Sequence, residues 1–204
     1  GAIAAQAVVL SIVAGAKIAK ISNGLGHDAI VRSMPNTPAQ IGQGITVWMP
    51  SPAVSEPQKE LARAVIGALG QQVEVDDENY LDMATALSGT GPAYIFLFME
   101  AMIDAGVHMG FSRQVSEQLV VETLKGSVAY FESRNQRDQV HVATLRNQVT
   151  SPGGTTAQAL YYLEKAGFRT AVSRAIWAAY ERSIELGKEK PVHIPETNPG
   201  GSGG

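Results

Sequence analysis

Hydroxyls, glycines and a proline crowd into one stretch, Val149-Thr150-Ser151-Pro152-Gly153-Gly154-Thr155-Thr156. Pro152 suits the first turn of a helix, where its missing N–H would be unpaired anyway. Gly153 and Gly154 leave the backbone without a Cβ wall, so a ligand can come close. The hydroxyls of Thr150, Ser151, Thr155 and Thr156 gather at the amides of a helix start. Free amides there, with the positive end of the helix dipole, attract a carboxylate or a phosphate. The chemistry on offer is anion capture by neutral donors. On local pattern alone, a plain capped helix start competes on equal terms.

A second stretch is built alike: Ser88-Gly89-Thr90-Gly91-Pro92-Ala93-Tyr94, with Pro92 placed to open a helix. Two helix starts in one helical region can converge on one anion. Glu78 stands between the two halves of the chain and offers a carboxylate to a cationic ligand group. A zwitterionic small molecule would use both features, whereas the plainer reading of Glu78 is a solvated carboxylate at a helix start. No Ser-His-Asp order, HExxH, Walker A loop or G-x-G-x-x-G occurs. Cysteine is absent, which excludes disulfides, thiol nucleophiles and cysteine-based metal sites. The histidines (His27, His108, His141, His193) lack ligand spacing, so no metal site is expected.

The elements that must position these residues fall into two classes. Val8 to Val13 is a continuous apolar run that suits a strand buried on both faces, as in a parallel sheet. Lys17 to Leu25 is a short helical pattern closed by Gly26, and Ala29 to Ser33 is a second strand. It runs into Met34-Pro35-Asn36-Thr37-Pro38, where two prolines hold a stiff loop. Gly44 to Met49 is a third strand. Ser55 and Gln58 form a capping-box pattern for a helix reaching about Leu69, and Gln72 to Asp76 is a fourth strand. Past residues 76–79 the pattern is helical. The expected helices are Asn79 to Leu87, Pro92 to Met109, Arg113 to Glu132 with Ser112 as cap, Val140 to Val149, Thr155 to Lys165 and Phe168 to Leu186. Ser133 to Gln139 reads as a polar loop between them. The Pro92–Met109 helix is apolar nearly all round, which in so small a domain points to a subunit interface, with the central helix of a monomeric bundle as the alternative.

Composition sets the outer limits. The chain has 204 residues, 45% hydrophobic and 17% charged, with a formal net charge of -3. That is a globular composition with no electrostatic footprint for nucleic acid. No uninterrupted apolar stretch of about 18 residues stands out, so no membrane span is expected. No signal-peptide pattern opens the chain, and a cytoplasmic location is expected. The end, Asn198 to Gly204, reads as a flexible tail.

Met34-Pro35-Asn36-Thr37-Pro38-Ala39, Leu87 to Tyr94 and Val149 to Thr156 occur in an order that resembles the pyrroline-5-carboxylate reductases. The resemblance runs from about Val8 to Gly187. Ala105-Gly106-Val107, Ala166-Gly167-Phe168-Arg169 and Glu181-Arg182-Ser183 support it. It implies an α/β fold: a partial Rossmann-type domain over residues 1–77, then an all-α helical substrate-binding and dimerisation domain over 78–190, with a tail at 191–204. It implies hydride transfer from NADPH or NADH to 1-pyrroline-5-carboxylate, giving L-proline. It also implies a homo-oligomer whose helical domains interlock.

By match to the family, Thr156 is the catalytic candidate, hydrogen bonding near the imine nitrogen. Glu78, Ser151, Gly153, Gly154, Thr155 and Thr156 would line the substrate, and Ala14, Asn36 and Gln148 the cofactor. Asn147 stands where the family usually has Asp, and Thr90 replaces the commoner Ser. The family's first strand and glycine-rich phosphate loop have no counterpart, so the chain is expected to be truncated within its nucleotide domain. Two alternatives accompany this reading. One is a non-catalytic oligomerisation or ligand-binding module. The other is a related hydroxy-acid reductase using Lys125 or Lys165.

Overall fold

The structure, a computed structural model, describes residues 3–188; the tail expected at 191–204 lies outside them. Four strands form one sheet in the order β1 (Val9–Ser11), β2 (Ile30–Met34), β3 (Gly44–Pro50) and β4 (Gly70–Glu74). β1 pairs with β2 in parallel, β2 with β3 antiparallel, and β3 with β4 in parallel. The β1–β2 crossover carries α1 (Ile18–Leu25) and the β3–β4 crossover carries α2 (Glu56–Gly67). The stiff proline loop carries only a tight turn, Thr37–Ile41, between β2 and β3. A parallel return needs a crossover of about a dozen residues or more, so this short loop forces β3 to run back antiparallel. The sheet is therefore mixed.

The first strand is shorter than its apolar run implies. Val9–Ser11 is half-buried, while Ile12 and Val13 are 61% and 60% exposed, so the expected strand buried on both faces is not what forms. β2 carries the burial instead. Val31 packs on one face with Trp48, Ala62 and Ile66, which form the sheet's main apolar cluster with α2. Ile30 and Arg32 alternate to the other face, where α3 (Asn79–Ala84) packs on β2 and β3.

The helical half departs from expectation at its start. Residues Asn79–His108 form one continuous helix of 30 residues, not two helices broken by a glycine turn. Thr85–Gly89 is a wide, π-type turn joining α3 to α4 (Gly91–His108). The Thr90 amide bonds to the Thr85 carbonyl at 2.9 Å, one residue further back than in an α-helix. Pro92 lacks an N–H and its ring would crowd the carbonyl four residues back, so widening the turn accommodates it. The joined helix is long and apolar enough, by length and composition, to cross a membrane, which the expectation of no such stretch missed.

α5 (Arg113–Asp138) runs through the expected polar loop at 133–139, with Arg134 and Asp138 paired one turn apart at 3.2 Å. It ends at Gln139, in the left-handed conformation with φ 49°. Then come α6 (Val142–Gln148), α7 (Thr155–Lys165) and α8 (Phe168–Gly187). Beyond residue 90, Val120 is the one buried hydrophobic residue among those described. Ile95, Phe96 and Leu97 on α4, Tyr161 and Tyr162 on α7, and Trp177 on α8 are all more than half exposed.

Candidate functional site

α7 begins at Thr155, with Gly154 as its N-cap and no side chain capping it. Pro152 therefore does not open the helix, as its position suggested. It lies in a tight turn closed by the Gly154 amide on the Ser151 carbonyl at 3.1 Å. Gly153 takes φ 67°, which a side chain would strain, and a Cβ on Gly154 would meet the Ser151 Oγ at 2.5 Å. The turn thus requires glycine at 153 for its own geometry, while a side chain at 154 would displace the Ser151 hydroxyl. The first bond from the helix back to this turn is Gln158 N–H to Gly154 O at 3.2 Å. Among the described residues, the amides of Thr155, Thr156 and Ala157 have no acceptor. Those three donors and the Thr155 and Thr156 hydroxyls are what the turn offers an anion. Thr150 is spent locally, its Oγ1 donating to the Arg146 carbonyl at 2.7 Å.

The hydroxyls of the second glycine stretch are spent locally. Inside the continuous helix, Thr90 N–H and Thr90 Oγ1 both bond to the Thr85 carbonyl, and Ser88 Oγ bonds to the Ala84 carbonyl. α4 does open at Gly91 with Pro92 in its first turn, but it continues directly from the π-type turn and the Ser88 and Thr90 hydroxyls are spent on it, so this start adds no hydroxyl donor for an anion. What the π-type turn does provide is close approach. A Cβ on Gly89 would meet Met34 Cε at 2.7 Å, so the turn sits against the last residue of β2, where the proline loop begins.

Ala14 and Asn36 follow the carboxyl ends of β1 and β2, which are parallel neighbours, so the two residues share one edge of the sheet. Ligands of open α/β sheets bind at that edge. Asn36 Oδ1 accepts the Ile45 N–H at 3.1 Å, which leaves its amide nitrogen available. Gly15, beside Ala14, lies against the end of α8, where a Cβ would come within 2.9 Å of Gly187 N. Gln148 is exposed at the end of α6. Among the described residues, no hydrogen bond joins residues 148–156 to Glu78, Ala14 or Asn36.

Glu78 is half-buried and not free. Its Oε1 accepts the Ile18 N–H at 2.7 Å and an Arg32 nitrogen at 2.9 Å. The other terminal nitrogen of Arg32 goes to Asp82 Oδ1 at 2.8 Å. Asp82 also takes Lys17 Nζ on Oδ2 at 2.9 Å and the Ser183 hydroxyl on Oδ1 at 3.1 Å. Burial works to raise the Asp82 carboxyl, but the bonds from Lys17 and Arg32 outweigh it and hold it below the usual carboxylate range. Arg32, Asp82, Lys17 and Ser183 were missed in the sequence. The readable signal was Arg32 itself, a lone cation in the apolar strand Ile30-Val31-Arg32, which demands a buried carboxylate.

Residues 78–186 match the family described as "Pyrroline-5-carboxylate reductase dimerisation". The chain is 42% identical to a pyrroline-5-carboxylate reductase of Synechocystis sp. over 182 residues, covering 89% of this chain and 66% of that protein. The chain therefore spans about two thirds of the length of that relative. Among solved structures, a Plasmodium falciparum pyrroline carboxylate reductase with NADP bound matches with a TM-score of 0.81. It is 38% identical, with 89% of this chain and 71% of that chain covered. A 1-pyrroline-5-carboxylate reductase from Streptococcus pyogenes matches with a TM-score of 0.80 and 30% identity, covering 86% of this chain and 66% of that chain. The mixed sheet, the helical half and these matches together mean that the chain belongs to the pyrroline-5-carboxylate reductase family.

Proposed function

We propose that this chain carries the substrate side of a reductase that converts 1-pyrroline-5-carboxylate to L-proline, the last step of proline biosynthesis, in the cytoplasm. The division at residue 78 then has a purpose: residues 1–77 face the cofactor and 78–190 face the substrate and a second subunit. When bound, NADPH or NADH supplies a hydride to the ring carbon of the C=N bond. The nitrogen becomes an amine and must carry one more proton than in the neutral imine. A protonated imine accepts hydride more readily, so a hydroxyl positioned at that nitrogen serves the reaction.

The observation that carries the reading is the start of α7, where the amides of Thr155, Thr156 and Ala157 have no acceptor and two threonine hydroxyls stand beside them. That donor set fits a carboxylate. Ser151, Gly153 and Gly154 shape the approach, and Thr156 is the residue we assign to the imine nitrogen. Ala14 and Asn36 share the sheet edge that fits the nicotinamide end of the cofactor, with Gln148 as a contact from the helical half. Glu78 belongs to the site through its place at the junction, with Oε1 engaged by Arg32 and Ile18. The exposed apolar faces of α4, α7 and α8 fit burial against a second copy in a homo-oligomer.

Calorimetric titration with L-proline tests the reading. The folded chain is expected to bind it, and Thr156→Ala to weaken binding by about three- to ten-fold, the range expected for one hydrogen bond. A folded oligomer that takes up no L-proline would overturn the proposal.

A further inference from the structure

We propose that Arg32 and Asp82 are positioning residues, whose buried ion pair holds the loop after β2 in register with the helix that begins the substrate side. The inference rests on the functional reading above for its purpose, and on the geometry for its existence. Arg32 and Asp82 are each 2% exposed, so this pair is sealed from water. Arg32 sits in the middle of β2, two residues before Met34 and four before Asn36. Asp82 sits in α3, three residues before the π-type turn that packs on Met34.

The guanidinium uses its two terminal nitrogens on two different carboxylates, Nη1 on Glu78 and Nη2 on Asp82. A lysine has one ammonium and cannot span both in this way. Asp82 in turn draws in two further elements. Lys17 reaches it from the residue that caps α1, and Ser183 from α8. One carboxylate thus ties the sheet, the β1–α1 turn, α3 and α8 together. Charged groups this deep do little for net stability compared with apolar packing, but they are strict about geometry. Hydride transfer needs donor and acceptor within about 3–3.5 Å, so a joint that fixes register between the cofactor edge and the substrate side has a task matched to its strictness.

The test compares unfolding of the two halves at one protein concentration. Trp48 is buried in the sheet, while Trp177 lies exposed on α8. A Trp177→Phe background makes fluorescence report the sheet, and far-ultraviolet circular dichroism reports mainly the helices. Without further change the two urea transitions are expected to coincide. With Asp82→Asn, and equally with the charge-conserving Arg32→Lys, they are expected to separate. If Asp82→Asn fails to fold, Ser183→Ala and Lys17→Met each remove a single bond to Asp82 and should give a smaller separation.

In turnover, Asp82→Asn is expected to lower kcat by more than about ten-fold while KM for both reactants stays within about three-fold, the pattern of lost alignment. Transitions that stay coincident in every variant would overturn the proposal, as would a loss confined to KM. A parent chain that shows no turnover counts against the functional reading alone, and the urea transitions then decide the joint.

Discussion

Asp82 shows how a buried side chain contributes to the acid sensitivity of this protein. Its carboxyl is buried, which works to raise its pKa, yet Lys17 and Arg32 hold it lower in the folded state than in the unfolded chain. A group depressed by folding contributes stability above its unfolded value, about 3.9 for Asp, and that contribution is lost as pH falls through the folded value. Stability should therefore be level near neutral pH and fall in the acid range below about pH 4. Glu74 behaves likewise: burial raises it, and Lys59 and Arg63 overcome that effect, so two carboxylates share the acid slope. Asp82→Asn should remove part of that slope and lower stability at neutral pH by up to about 3 kcal/mol, because it leaves the buried Arg32 with only one of its two carboxylates. Urea unfolding at several pH values checks both. A slope unchanged in Asp82→Asn would mean that Asp82 does not titrate with folding.

At the scale of elements, α8 closes on the β1–α1 turn through two glycines. Gly15 has φ 74°, and a Cβ on Gly187 would come within 2.7 Å of the Gly15 carbonyl oxygen. Alanine normally gains about 0.5–1 kcal/mol over glycine within a helix. At Gly187 the backbone contact outweighs that gain, so Gly187→Ala should lower the melting temperature. Gly24 in α1 is exposed and meets nothing within 4 Å, so Gly24→Ala should raise it. Calorimetric melting of the two variants checks the contrast, and a stabilising Gly187→Ala would rule out tight packing between these elements.

The elements also show where the sequence could be read and where it could not. The capping box at Ser55 and Gln58, the left-handed stops at Gly26 and Gly167, and the Ser112 cap are local signals with local outcomes, and they form as expected. Pro92 does stand in the first turn of α4 as its type implies, but proline and glycine also signal a break before it, and here α3 runs on into α4 through a π-type turn instead. Whether a π-type turn absorbs Pro92 instead depends on what packs there, here Met34 and α8. The strand at Val8–Val13 was overextended for a related reason. Its apolar run says that something covers it, but not that the something is a strand ladder. Of the candidate site, the start of α7 was legible from hydroxyls and glycines. The partners of Arg32 were not, because Glu78 and Asp82 reach it from 46 and 50 positions along the chain.

The whole molecule is lopsided. The sheet half has a compact cluster around Val31, Trp48, Ala62 and Ile66, while the described part of the chain beyond residue 90 buries one hydrophobic residue, Val120. A helical region cannot offset the entropy of ordering so many residues with so little burial. Its stability must come from apolar surface covered by another molecule, and the match to a dimerisation family over residues 78–186 points to a second copy. Apolar helix faces of this extent are also what a membrane would cover, and α3 with α4 is long enough for that. The two occupants predict different behaviour. A second copy gives a dimer or larger assembly in sedimentation without detergent, and Phe96→Asp on the exposed face of α4 should shift it toward monomer with loss of helix signal. Membrane insertion would instead demand detergent for solubility and leave the chain monomeric within it. A stable, fully helical monomer in plain buffer would refute both, since nothing within one described chain covers Phe96, Leu97 or Trp177.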